Sequence, residues 1–366
     1  MNGWLAPDLG IFDGRHLLSG HAVRRAERGV EIAPAGDVDA RPVPGVATAG
    51  FIDIQVNGGG GVLLNGRPDR AGIAAIVAAH RSFGTGAMLP TLITDGAGIA
   101  DAAADAACAM ADCPGLLGLH LEGPHIATAR RGTHRADLIR RFDGHTLRLV
   151  ERLRTRGCHV VVTLAPEAAT SKDIRALVDA GARVSLGHSD TDAAGARAAF
   201  AAGATGVTHL FNAMSPLQGR APGLVGAAIS SDAYVSVILD GIHVDPLSLD
   251  VAIRARPRDD RMILISDAMP TVGGPDSFDL QGQTITRRGA RLINRDGNLA
   301  GAHTTMAEGV RRAVSALGMS LETALRMAIT HPAAFLGVDV TPSKPISGFM
   351  LFMPESGDIA WIAPPA

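Results

Sequence analysis

Four residues close short apolar runs and are of types that bind cations or move protons. They are Glu122 in Leu119-His120-Leu121-Glu122, His188 in Val184-Ser185-Leu186-Gly187-His188, His209 in Val207-Thr208-His209, and Asp267 in Leu264-Ile265-Ser266-Asp267. One carboxylate and two imidazoles suit a borderline-soft divalent ion that keeps positions open for water and substrate. Such an ion lowers the pKa of water toward ~7, which supplies hydroxide at neutral pH. Asp267 then suits a general base that takes the water proton and hands it to a departing amine. Taken singly, each residue has a structural explanation: a hydrogen-bonded strand-end histidine, as for His120, or an acid at a helix N-terminus. It is their joint placement at run ends that points to chemistry.

The elements that must position them alternate along the chain. From about Gly50, apolar runs at 50–55, 86–92, 116–122, 159–164, 182–188, 205–210, 234–239 and 261–267 read as strands. Between them, helical periodicity covers 69–83, 98–111, 144–156, 171–180, 191–202, 222–230 and 245–255, with further helices at 305–317 and 320–330. Eight strands with helical crossovers predict an α/β fold, a (β/α)8 barrel, whose chemistry sits at the C-terminal strand ends. The four residues end strands three, five, six and eight. Short alternating segments near both termini predict one small β domain from 1–46 and 338–366, flanking a barrel over 47–337. Residues 273–300, punctuated by Gly273-Gly274-Pro275, Arg288-Gly289 and Asp296-Gly297, read as a β-hairpin inserted after the eighth strand. Gly58 to Gly61 lack the Lys-Ser/Thr ending of a phosphate loop and read as a flexible loop, and His331-Pro332 reads as a turn.

Bulk properties exclude several function classes. Hydrophobic residues at 46% against 19% charged support a large core, and a net charge of -2 from mixed signs disfavours nucleic acid and acidic membrane surfaces. No apolar run approaches the ~20 residues of a membrane span, and Met1 to Gly10 lack a secretory pattern, so a cytoplasmic protein is expected. Cys108, Cys113 and Cys158 lack CxxC spacing and read as reduced thiols.

Longer ordered segments carry a resemblance: Pro90-Thr91-Leu92-Ile93-Thr94, Leu119-His120-Leu121-Glu122-Gly123-Pro124, Gly132-Thr133-His134, Leu186-Gly187-His188-Ser189, Thr208-His209-Leu210-Phe211-Asn212-Ala213-Met214, Gly219-Arg220-Ala221-Pro222-Gly223, Asp240-Gly241-Ile242-His243 and Ser266-Asp267-Ala268. Together they resemble the N-acetylglucosamine-6-phosphate deacetylases of the amidohydrolase superfamily. The resemblance implies hydrolysis of the acetamide of N-acetyl-D-glucosamine 6-phosphate to D-glucosamine 6-phosphate and acetate. It implies Glu122, His188 and His209 as metal ligands, Asp267 as catalytic acid/base, and His134 as the group that polarises the acetamide carbonyl. Asn212, Ala213, Arg220 and His243 match the family's substrate contacts, with Arg220 on the phosphate. A homodimer is implied as well. N-acetylgalactosamine 6-phosphate or another N-acetyl amino sugar is an alternative substrate, and a non-catalytic barrel scaffold is an alternative of another class.

Two departures matter. Many amidohydrolases have His-x-His after the first strand, whereas this chain has Gln55-Val56-Asn57, which predicts one divalent ion per chain, zinc or ferrous iron. His303 stands where the family has a small residue before Leu-Thr and reads as a cap for the helix near 305, a solvated side chain or a sugar contact. Arg130, Arg131 and Arg135 around His134 read either as a source of positive potential or as a solvated loop.

Overall fold

The computed structural model describes residues 3–295, 297–343 and 345–365. Met1 and Asp296, which entered the sequence reading, lie outside them.

Strands β1 (Phe51–Val56), β2 (Thr85–Ile93), β3 (Gly118–Glu122), β4 (His159–Leu164), β5 (Arg183–Leu186), β6 (Gly206–Val207), β7 (Tyr234–Ile238) and β8 (Met262–Ile265) form one parallel sheet in sequential order. The sheet closes through Asp267 N donating to Gln55 O at 3.0 Å and a parallel bridge between Val56 and Ala268. Runs such as Val160-Val161-Val162 are buried on both faces, as expected for strands with a filled interior and a helical jacket.

Most of the helices around the barrel start where a short polar side chain satisfies their free amides. Asp69, Asp143, Asp192 and Asp245 cap α1 (Arg70–Arg81), α3 (Gly144–Thr155), α5 (Ala193–Ala201) and α7 (Pro246–Arg254). Thr170 and Thr305 form reciprocal capping boxes with Asp173 and Glu308 on α4 (Ser171–Asp179) and α8 (Met306–Leu317). Helices α2 (Ala97–Ala109) and α6 (Gly223–Ile229) complete the ring. No helix among the described residues is long and apolar enough to cross a membrane.

The two chain ends meet in sheets beside the barrel. Val46–Ala49 pairs antiparallel with Phe349–Phe352, and Phe352 stacks edge-on against Phe51 of β1 at 5.3 Å. A four-stranded sheet orders Val30–Pro34, His21–Arg25, Trp4–Pro7 and Ala40–Val43.

Several expectations are corrected. The insertion is not one hairpin but four antiparallel strands, Ser277–Leu280, Gln283–Arg288, Arg291–Ile293 and Leu299–Ala302. Three of these strands are too short to show alternation, and the sheet gains stability by burying Leu280, Ile285, Leu292 and Ala300 against Leu63, Ile93 and Met269. His331-Pro332 is not a turn but the start of a helix, His331–Leu336, preceded by a π-type turn over Arg326–Thr330. Pro332 has no amide to donate, and the widened turn before it accommodates that loss. The Gly58–Gly61 segment is pinned rather than loose: the amides of Gly58, Gly60 and Gly61 donate to Ala268, Val272 and Pro270 carbonyls.

Candidate active site

Glu122 is the last residue of β3, while His188, His209 and Asp267 each lie two residues past the regular end of β5, β6 and β8. The backbone turns left-handed at those three positions, with φ of 48°, 36° and 51°. Non-glycine residues avoid this region at a cost of about 1–3 kcal/mol each, so neighbouring strands must hold them there. They do so by hydrogen bonds: Thr208 N donates to Leu186 O at 2.9 Å, His209 N to Ser236 Oγ at 2.9 Å and Asp267 N to Gln55 O at 3.0 Å. The turns end β5 and β6 earlier than periodicity suggests and aim the side chains into the barrel mouth.

There, Glu122 Oε1 lies 3.1 Å from His188 Nε2 and 3.0 Å from His209 Nε2, and the two imidazole nitrogens are 3.1 Å apart. His188 Nδ1 donates to the carbonyl of Arg130 at 2.9 Å, so its Nε2 lone pair points inward. Burial opposes ionisation of Glu122, but its close contacts with the two imidazoles outweigh it and hold the carboxyl well below its usual range. The same contact outweighs burial at His209 and raises its pKa. An anion between two inward nitrogens, all within ~3 Å, is a donor set that fits one divalent ion with bonds of about 2.0–2.1 Å. Ligand atoms of Glu122, His134 and His188 also lie within 4.8 Å of one another.

His134 Nδ1 is 2.8 Å from Thr94 Oγ1. Burial, and next the nearness of His188, push its pKa down to about 3, so the ring is neutral. Asp267 Oδ1 accepts from Asn57 Nδ2 at 2.7 Å and from Gln55 Nε2 at 3.1 Å. Burial, followed by the Glu122 charge, pushes its carboxyl up to about 6. Gln55 Nε2 donates to Glu122 Oε1 as well, at 2.9 Å, so the amide turns its donor rather than its oxygen toward both carboxylates.

Glu122, His134, His188, His209, Asn212, Ala213, His243 and Asp267 all line one cavity of about 210 Å³. Asn57, Met269, Leu299 and Gly301 are also part of its wall, the last two from the inserted strands. Arg220 is not brought in; it stands exposed on the segment after Asn212 and Ala213. His303 neither caps a helix nor lines the cavity: Thr305 is the cap, and His303 Nδ1 meets Thr271 Oγ1 at 2.9 Å. Two of the three arginines near His134 form local ion pairs, Arg130 with Asp190 and Arg135 with Asp137, and Arg131 donates to the His134 carbonyl. The sequence reading missed Thr94 and Asn57, although Thr94 closes the Pro90-Thr94 segment and Asn57 follows β1 in the manner of Asp267 after β8.

Beneath the site, Asp53 of β1 is fully buried and accepts from Gln55 N, Ser266 N and the Ser266 hydroxyl. Burial outweighs these bonds and pushes its pKa up to about 7, against 3.8 for an unperturbed Asp. The folded chain therefore binds the extra proton between those values, and this group's contribution to stability falls as pH rises from about 4 to about 7. Asp53→Asn should raise the melting temperature at pH 8, with a gain on the order of 1–4 kcal/mol, and by under half as much at pH 5. Thermal melts at the two pH values test this; an equal shift at both would sink it.

Comparison with known proteins places the chain. The amidohydrolase family model matches residues 46–341. The chain is 43% identical to an N-acetylgalactosamine-6-phosphate deacetylase of Shewanella sp. (strain ANA-3), over 81% of this chain and 75% of that protein. It is 37% identical to the N-acetylglucosamine-6-phosphate deacetylase of Mus musculus, over 81% and 76%. The crystal structure of N-acetylglucosamine-6-phosphate deacetylase from Pasteurella multocida superposes with a TM-score of 0.90 at 31% identity, covering 98% of each chain. An Asp-to-Ala variant of the Mycobacterium smegmatis enzyme, solved with N-acetyl-D-glucosamine 6-phosphate, gives 0.89 at 28% identity, covering 99% of each. The chain belongs to the amidohydrolase family, within its branch of amino-sugar 6-phosphate deacetylases.

Proposed function

We propose that this protein hydrolyses the acetamide of N-acetyl-D-glucosamine 6-phosphate to D-glucosamine 6-phosphate and acetate, using one divalent ion per chain. The observation that carries the reading is the convergence of Glu122, His188, His209 and Asp267 on one cavity beside the neutral ring of His134. Glu122, His188 and His209 hold the ion, zinc or ferrous iron. When bound, it supplies Lewis acidity and lowers the pKa of water toward ~7. Asn57 and Gln55 occupy Oδ1 of Asp267, so Oδ2 is the oxygen that takes the proton of the attacking water. The same oxygen returns that proton to the sugar nitrogen as the C–N bond breaks. With the Thr94 hydroxyl donating to His134 Nδ1, the ring proton sits on Nε2 and stabilises the negative charge that develops on the acetamide oxygen. Asn212, Ala213 and His243 hold the sugar, and Arg220, exposed outside the cavity wall, grips a phosphate that projects beyond it. Gln55 presents an N–H where a second ion would need a lone pair, which supports a mononuclear site. A homodimer in the cytoplasm, with residues 1–46 and 338–366 acting as a small β domain, completes the proposal.

The 43% identity to the Shewanella enzyme favours a second reading in which the sugar is N-acetylgalactosamine 6-phosphate. Acetate release from both 6-phosphates and from unphosphorylated N-acetylglucosamine, compared as kcat/KM, decides between them. Failure to release acetate from either phosphate would refute the proposal, and a preference for the unphosphorylated sugar would remove the role given to Arg220.

A further inference from the structure

Of the four imidazoles that line the cavity, three cluster at its base, and the fourth, His243, comes from the loop after β7. Their Nδ1 atoms have different partners. His188 meets a backbone carbonyl, His134 a hydroxyl, and His209 Nδ1 is buried without a hydrogen bond among the described residues. His243 Nδ1 alone among them meets a carboxylate, Asp240 Oδ2, at 2.6 Å. The other oxygen, Asp240 Oδ1, accepts from the amides of Ile242 at 2.8 Å and His243 at 2.9 Å. Asp240 is only 5% exposed, and Gly241, at φ 71°, supplies the turn that brings the i and i+3 side chains together. Among the described residues, every hydrogen bond of this carboxylate thus goes to the loop that carries His243.

Burial works against the Asp240 charge, but the His243 contact outweighs it and holds the carboxyl below its usual range. A carboxylate in this state only accepts, so Nδ1 must carry the proton, and Nε2 is the ring atom left to face the cavity. We infer that Asp240 is a positioning residue: it fixes the ring orientation and the tautomer of His243 so that Nε2 meets the sugar of the bound substrate. This rests on the deacetylase reading, since the sugar is what His243 would touch. The role is distinct from the chemistry at Asp267, so it acts on substrate capture and not on bond breaking.

The test combines kinetics with the state of the ring. Asp240→Asn keeps the side chain's shape but can turn a donor toward Nδ1 and release the tautomer. It should raise KM about tenfold, as loss of an outer carboxylate partner of an imidazole does, while leaving kcat within about twofold. Metal content should not change. In a His243→Gln background the same substitution should alter KM less than about twofold, because its target is gone. Nitrogen-15 histidine spectra, with the His243 signals assigned by their loss in His243→Gln, should show the proton on Nδ1 in the wild type and a shift toward Nε2 in Asp240→Asn. If Asp240→Asn does not fold, Asp240→Ser keeps an acceptor for the two amides and serves instead. An equal rise in KM in both backgrounds would mean that Asp240 acts on the fold alone, and unchanged KM with an unchanged tautomer would also overturn the inference. Wild-type protein that turns over neither 6-phosphate would instead remove the deacetylase reading and the inference with it, whatever the spectra show.

Discussion

Asp267→Asn is expected to lower kcat by roughly 100- to 10,000-fold, the range for losing a general acid–base group, while the protein keeps its metal and its melting temperature. The substitution is nearly isosteric. Asn57 Nδ2 and Gln55 Nε2 can still donate to the remaining amide oxygen at position 267. What changes is the group at the other oxygen's place, an NH2 that cannot accept a proton. Because Glu122, His188 and His209 are untouched, metal analysis of the purified variant should match the wild type. The pH profile gives a second readout. The base must be ionised, so kcat/KM falls as pH drops through its pKa. Burial and Glu122 set that value at about 6 in the protein alone, and a cation at the neighbouring site pulls it lower. The acidic limb therefore lies at or below about pH 6. Full turnover in the variant would refute the assignment of Asp267, and an acidic limb above pH 7 would argue for a different base.

The second large effect concerns the ion. Glu122→Gln should leave purified protein with well under one equivalent of metal, where the wild type should carry close to one. It should also abolish measurable acetate release, with loss of activity on the order of 1,000-fold or more. Glu122 is the charge that both imidazoles face, and the neutral amide would leave two nitrogen donors with no anion to balance the cation. Dialysis of the wild type against a chelator should reproduce the loss, and zinc or ferrous iron should restore activity. The bound ion should also stabilise the fold, by about 2.7 kcal/mol when free metal is 100 times Kd. A wild type with two equivalents of metal would contradict the role given to Gln55, and chelator-insensitive activity would contradict the mechanism.

Much of this architecture was legible because it is local. The apolar runs that became β3, β4, β7 and β8 alternate with mostly capped helices, and Glu122, His188, His209 and Asp267 stand at or just past the ends of their runs. What could not be read depends on closure of the barrel. Gln55 bonds to Asp267 across 212 positions of sequence, and no local pattern says that its amide turns a donor toward two carboxylates. The same holds for the inserted strands, whose short pieces only make sense once Leu280 and Ile285 find Ile93 and Met269 to pack on. The resemblance puts Arg220 on the phosphate, but its exposed place outside the cavity wall depends on what its loop packs against and is not a local pattern. The Asp240-His243 pair is the opposite case. Its i, i+3 spacing on a glycine-containing turn is local and stands in Asp240-Gly241-Ile242-His243 itself.

The left-handed residues around the rim carry one more consequence. Beyond His188, His209 and Asp267, the chain holds Phe211 and Ala213 at φ of 77° and 48° on the same face of the barrel. A lineage under pressure to tolerate heat can cap helices, fill the Ala-rich jacket or shorten loops without touching turnover. At the rim that freedom narrows, because the strained positions are largely those whose side chains do the chemistry. Ala213 is the position where glycine would relax the backbone and remove only a methyl group. Adaptation in this protein should therefore concentrate in the jacket, with the rim changing slowly and the working temperature limited by how firmly the neighbouring strands hold those few residues.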